Sequence, residues 1–144
     1  MIQRVIVGID FSEASRTALA TAKQWAGKVQ VPMMAIHAVH LPGALLGEAY
    51  PGTYDPEWVG ELEKNALAHL RSWVGDDPGI EVFVATGSPE EILIAAADPH
   101  SLLVVGQVGH SAIEHLFFGS TAARVVRHAP CDVLVVRREK GGHP

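Results

Sequence analysis

Five short runs of aliphatic residues, separated by stretches with helical spacing, constrain the fold more than any other feature of this chain. The runs are "RVIVGID" (Arg4 to Asp10), "VPMMAIHAV", "IEVFVAT", "LLVVG" and "CDVLVVR". Each is short, rich in valine and isoleucine, and continuously apolar rather than alternating. That is the pattern of a strand buried on both faces. Between them lie helix signals. Ser12 is placed to cap a helix from Glu13 to about Lys28, with Ala14, Ala18, Ala22 and Trp25 at helical spacing. Asp55-Pro56 opens a second helix that Gly75 closes, and Trp58, Leu62, Ala66, Leu70 and Trp73 form its expected buried stripe. "SPEE", Ser88 to Glu91, is a capping box with proline at the first helical position. Ser120 is expected to cap the last helix, which runs through His128. Strand and helix alternating five strands deep predicts an α/β fold, one doubly wound domain whose five-stranded parallel sheet has helices on both faces. A chain of 144 residues suffices for one such core. The expected domain spans 1–138, with 139–144 as a disordered tail.

Composition enters as exclusion. The formal net charge is -5 and no Lys/Arg cluster gathers in the body of the chain, so no nucleic-acid partner is expected. No apolar run reaches membrane-spanning length, so no membrane association is expected. The first residues lead straight into a strand pattern without a signal-peptide layout, which sets cytoplasmic location as the expectation. The single Cys131 excludes an intrachain disulfide and reads as a small buried hydrophobe. Eight histidines invite a metal site. His37 and His40 differ by three at a strand end and point to opposite faces, and His110 and His115 lack a ligand set. No metal site from the protein alone is therefore expected.

The chemical signal lies between Val104 and Val126. Gly106, Gly109 and Gly119, followed by Ser120 and Thr121, separate a strand from a helix. Glycines let backbone approach a ligand closely and turn its N–H groups inward. A helix opening at Gly119-Ser120-Thr121 offers unpaired N–H groups and the positive end of its dipole to an anion. Asp10, after the first strand, can hold ribose hydroxyls or a nucleotide-bound Mg²⁺. The plainer alternative makes each glycine a turn residue, Ser120 an ordinary cap, and Asp10 a favourable charge near a helix start. Against an enzyme, there is no G-x4-G-K-[ST] loop, no lysine in the glycine-rich segment, and no base with an oriented water partner. Turnover is expected to be slow at most, with no catalytic residues assigned.

Three pieces carry a family resemblance: "VGIDFSEAS" at the first strand end, "IHAVH" at the second, and G-x2-G-x9-G-[S/T] at the fourth. The last is met by Gly106, Gly109, Gly119 and Ser120. From about Ile2 to Arg137 the chain resembles the universal stress protein family, in its ATP-binding type. The resemblance implies strand order 3-2-1-4-5, which puts the reversal of strand order between strands one and four. Asp10 and Gly106 then meet at the crevice where doubly wound sheets hold ligands. It also implies ATP, or AMP or ADP, with Mg²⁺ as the ligand. Main-chain atoms of Ala38 would meet the adenine edge, with Gly8 beneath the base. Gln107, Val108, Gly109, His110, Ser111 and Ala112 would follow the phosphates, and Gly119, Ser120, Thr121 and Ala122 would receive them. Many relatives carry Ser or Thr, then His or Arg, where Gln107 and Val108 stand, and a basic residue where His110 stands. This loop lacks a permanent cation, although Gln107 can hydrogen-bond and His110 can be charged at mildly acidic pH.

The expectation that follows is an ATP-binding regulatory module acting in stress response on an unidentified protein partner. The alternatives are a slow ATPase or phosphotransfer enzyme, and a pocket holding another ligand or none. The fifth strand carries Val133, Leu134, Val135 and Val136 without a proline or charge inside the run. As a sheet edge it invites pairing, and many relatives dimerise there, so a homodimer through this strand is expected. Leu41 to Pro56 is a long Gly/Pro-rich connection of the kind that is functional or mobile.

Overall fold

A computed structural model describes residues 1–41, 54–107 and 119–137. Val108, Gly109, His110, Ser111 and Ala112, most of the Leu41 to Pro56 connection, and the 139–144 tail lie outside the described residues. The elements are β1 (Arg4–Gly8), α1 (Glu13–Val29), β2 (Met33–Val39), α2 (Pro56–Val74), β3 (Ile80–Thr86), α3 (Pro89–Ala96), β4 (Ser101–Gly106), α4 (Ser120–His128) and β5 (Asp132–Val136). All strand pairs are parallel, in the order β3-β2-β1-β4-β5. The order in which strands are added therefore reverses between β1 and β4, as the resemblance implied.

The continuous apolar runs pay off in two cores, because alternate residues of each strand feed opposite faces. Val5, Val7, Ala35 and Val104 pack under α1 and α2 with Ala18, Ala22, Leu70 and Val74. Ile6, Ile36, Leu103 and Val105 pack under α3 and α4 with Leu93, Ala122 and Val125. Three alanines on the inner face of α1 (Ala14, Ala18 and Ala22) are buried and small, so that helix approaches the sheet closely. Removing a fully buried side chain such as Leu103 costs about 2–5 kcal/mol, the transfer term plus the cavity.

Two local expectations need correction. Ser120 is not the cap of α4: the cap is Gly119, whose carbonyl accepts from Ala123 N at 3.0 Å, and Ser120 is the first helical residue. Trp25 and Trp58 are not core residues. They are 45% and 40% exposed, and Trp58 pairs instead with Tyr54 at 5.5 Å between ring centroids. Helical spacing gave the right side of each helix to within a residue or two, but an indole at the margin of a stripe can lie over the rim of the core. Trp73, in contrast, packs against the α1/α2 core.

Candidate functional site

The crevice at the strand-order reversal has two walls. The first is the β1–α1 corner. Asp10 Oδ1 accepts from Ser12 N at 2.9 Å and from the Ser12 hydroxyl. Ser12 Oγ in turn accepts from Ser15 N at 3.1 Å and so caps α1, while the Ser15 hydroxyl donates to Ser12 O at 3.0 Å. Asp10 N reaches Ser15 Oγ at 3.4 Å. The chain makes this turn with Phe11 at φ 66, the left-handed region. For a bulky residue that conformation costs about 1–3 kcal/mol and persists only where neighbours hold it. Phe11 is held by rings: His69 at 4.0 Å, His37 at 4.5 Å and Trp73 at 5.7 Å between centroids. His37 also bonds the Ile9 carbonyl through Nδ1 at 2.8 Å. Its pKa is lowered, chiefly by burial, against the opposing pull of the Ile9 bond and the Asp10 charge.

The second wall is where β4 ends and α4 begins. Gln107 N donates to Val136 O at 2.9 Å, and Gly119 N donates to Gln107 O at 2.6 Å. The chain thus leaves β4 and re-enters α4 at one point. Among the described residues no side chain caps this helix start, whereas Ser12, Asp55 and Ser88 cap α1, α2 and α3. The first-turn N–H groups of Ser120, Thr121 and Ala122 have no intrahelical acceptor.

The glycines divide by function. A Cβ on Gly106 would stand 3.0 Å from the backbone carbon and oxygen and the Cβ of Ala14. The bare side of Gly106 therefore faces α1, and packing of that helix is a sufficient reason for glycine there. Gly106 can offer a ligand only its main chain. A Cβ on Gly8 would meet Leu93 Cδ1 at 3.0 Å, so Gly8 gives room to α3. Gly119 differs: φ -64 and ψ 163 suit any residue, so its backbone conformation does not demand glycine. Ala38 is buried and pairs with Ala85 of β3.

The structure thus brings Asp10, Gly106, Gln107, Gly119 and the first turn of α4 to the carboxyl ends of β1 and β4. Sequence reasoning missed Phe11, His37 and His69 as a cluster. Their spacing carries no motif, and only the parallel packing of β1, β2 and α2 assembles them. Among the described residues no group of three or more His, Cys, Asp or Glu could hold a metal ion. No helix among them is long and apolar enough to cross a membrane.

A parallel sheet with helices on both faces and a strand-order reversal between β1 and β4 defines a doubly wound α/β domain, the class that holds ligands at that reversal. The chain belongs to the universal stress protein family, whose profile matches residues 1–137. It is similar to the universal stress protein UspA from Lactobacillus plantarum, with 25% identity over 94% of this chain and 97% of that one and a TM-score of 0.68. It is also similar to a universal stress protein solved in complex with cAMP, with 28% identity over 95% and 98% of the two chains and a TM-score of 0.58. A protein of Staphylococcus aureus (strain USA300) whose name places it among the universal stress proteins is 41% identical over 64 residues. That match covers 42% of this chain and 39% of the relative's length.

Proposed function

We propose that this protein is an adenine-nucleotide-binding regulatory module of the stress response, working in the cytoplasm as a homodimer. The observation that carries the reading is the start of α4, without a side-chain cap among the described residues, at the same strand-order reversal that Asp10 follows. A similar family member has been solved with a cyclic adenine nucleotide, which supports the ligand class. In this reading ATP places its phosphates on the first turn of α4, where Ser120, Thr121 and Ala122 supply N–H groups and Ser120 and Thr121 add hydroxyls. Gly109, His110, Ser111 and Ala112 continue that cradle, while Gln107 and Val108 leave it without a fixed cation. Asp10 accepts from ribose hydroxyls. Ala38 meets the adenine edge through its main chain, beside Gly8. Mg²⁺ enters as the counter-ion of the nucleotide, held by its phosphates and water.

Calorimetry on wild type and Gly119→Val tests the site. The Gly119 backbone accepts a β-branched residue, so the variant folds and loses ATP binding. Equal affinity in both proteins sinks the assignment, and mass spectrometry of nucleotide released on denaturation identifies the natural ligand. Turnover is no part of the reading: a phosphate-release rate approaching the enzyme median of about 10 per second would displace it.

For the dimer, the structure sharpens the test. Val136 turns its carbonyl to β4, where it accepts from Gln107 N. By strand alternation Leu134 belongs to that inner ladder, and Val133 and Val135 present their polar groups at the outer edge. Val135→Pro should therefore yield a folded monomer in light scattering, whereas Leu134→Pro damages the sheet itself. A Val135→Pro protein that stays dimeric places the interface elsewhere.

A further inference from the structure

On the α1/α2 side of the crevice the β1–α1 turn is walled by rings, two of which are imidazoles. His69 stacks on Phe11 at an interplanar angle of 16°, and His37 leans on it at 40°. Beyond them the Arg16 guanidinium lies 3.9 Å from the centre of the Trp73 ring. A carbonyl only accepts, so the bond to Ile9 O fixes the proton of neutral His37 on Nδ1. Ile9 and Phe11 are the residues on either side of Asp10. His37 therefore touches both neighbours of the carboxylate that orders the turn.

We propose that His37, with His69 beside it on Phe11, makes the β1–α1 turn acid-sensitive, so that nucleotide affinity at the adjoining crevice falls when His37 becomes an imidazolium. This rests on the reading of the crevice as a nucleotide site. The charged and titratable groups around His37 come from every element packed there. Asp10 of the turn favours the imidazolium, and His40 after β2 and His69 of α2 oppose it. Arg16 of α1 stands one ring away, and Glu63 of α2 is engaged by the Thr86 hydroxyl of β3 at 2.9 Å. Burial weighs most and keeps His37 neutral below its usual range. Once charged, the ring draws on the Asp10 carboxylate and competes with Ser12 for it. It also repels His69 and Arg16, which brace the Phe11 stack. Phe11 then loses the support that keeps it in the left-handed region. A nucleotide that selects the intact turn binds more weakly in proportion to the fraction of protein that retains it.

The test compares ATP binding by calorimetry in wild type and His37→Asn between about pH 7.5 and about pH 5.5. Asparagine keeps an N–H donor for Ile9 O but does not titrate. The dissociation constant of wild type should rise about tenfold more over this range than that of the variant. Protonation of the nucleotide's own phosphates is common to both proteins and cancels in the ratio. His69→Gln, on an exposed position of α2, should reduce the excess, and it carries the comparison if His37→Asn fails to fold. Parallel pH curves for wild type and variant overturn the proposal. In nucleotide-free protein the amide resonances of Phe11 and Ser12 should follow the titration of the His37 ring in wild type. Amides that stay still as His37 titrates also overturn it, even where ATP binds normally. If wild type binds no ATP at any pH, the nucleotide reading falls, while the amide shifts still decide whether the turn is acid-sensitive.

Discussion

The two walls of the crevice solve the same problem in opposite ways. Each is a strand end followed by a helix start, and each must satisfy the N–H groups that a first helical turn leaves over. At the β1–α1 corner the protein does so itself: Asp10, Ser12 and Ser15 bond one another and cap α1. At the β4–α4 corner a glycine stands at the cap, and among the described residues no side chain caps the helix. A self-satisfied corner is a scaffold, positioned before any ligand arrives. A corner that leaves donors over is where an external anion gains most. In the proposed nucleotide reading, the preorganised corner would present Asp10 to the ribose and the start of α4 would receive the phosphates.

The strongest way to break the comparison is to make the second corner resemble the first. Gly119→Asp gives α4 the kind of cap that α2 already has in Asp55. We expect ATP affinity to fall about a hundredfold, or about 2.7 kcal/mol, because the carboxylate occupies and repels where phosphate would sit. The same variant should be slightly more stable than wild type, by about 0.5 kcal/mol in denaturant unfolding. A variant that binds ATP undiminished would show that α4 is not the anion wall.

The next test separates the glycines. Gly106→Ala forces a Cβ against the backbone of Ala14 and should cost about 1–3 kcal/mol of stability by urea unfolding. A Gly106→Ala protein of wild-type stability with lost ATP binding would return Gly106 to a purely ligand-facing role. Ser12→Ala removes a cap and a partner of Asp10 together and should cost about 1 kcal/mol in the same assay. If its loss were negligible, the first corner would not be the scaffold its bonds suggest.

The smallest expected effect is in pH. His37 titrates below its usual 6.5 in the folded chain, so the unfolded chain takes up its proton first as pH falls. The His37 contribution to stability is then full above about pH 6.5 and declines below it, toward the lowered pKa. Thermal unfolding of wild type against His37→Asn between about pH 7 and about pH 5 should show the difference shrinking on the acid side.

Much of this was legible in the residues. Strand order came only from the family resemblance, whereas parallel burial could be read from the continuously apolar runs. Asp10, Gly106 and Gly119 were legible as neighbours once that order placed β1 beside β4. Caps written in local sequence, Ser12, Asp55 and Ser88, came out as expected because a cap bond spans only two or three residues. Ser120 failed for an instructive reason: its sequence suits a cap, but the Gly119 carbonyl accepts the first intrahelical bond, from Ala123 N, and so puts the cap one residue earlier.

What the sequence by itself determined, then, is what depends on near neighbours and on periodicity: element type, helix starts, the two-sided sheet, and the family signature at its glycines. Tertiary structure alone decided what each of those residues faces. Gly106 turned out to owe its bare Cα to Ala14, 92 positions earlier in the chain, and Trp25 came to lie at the surface. Phe11, His37 and His69 became one stack although no spacing links them. Contacts between distant segments depend on how helices settle on the sheet, and that is fixed by the volumes of many side chains at once rather than by any short stretch of sequence.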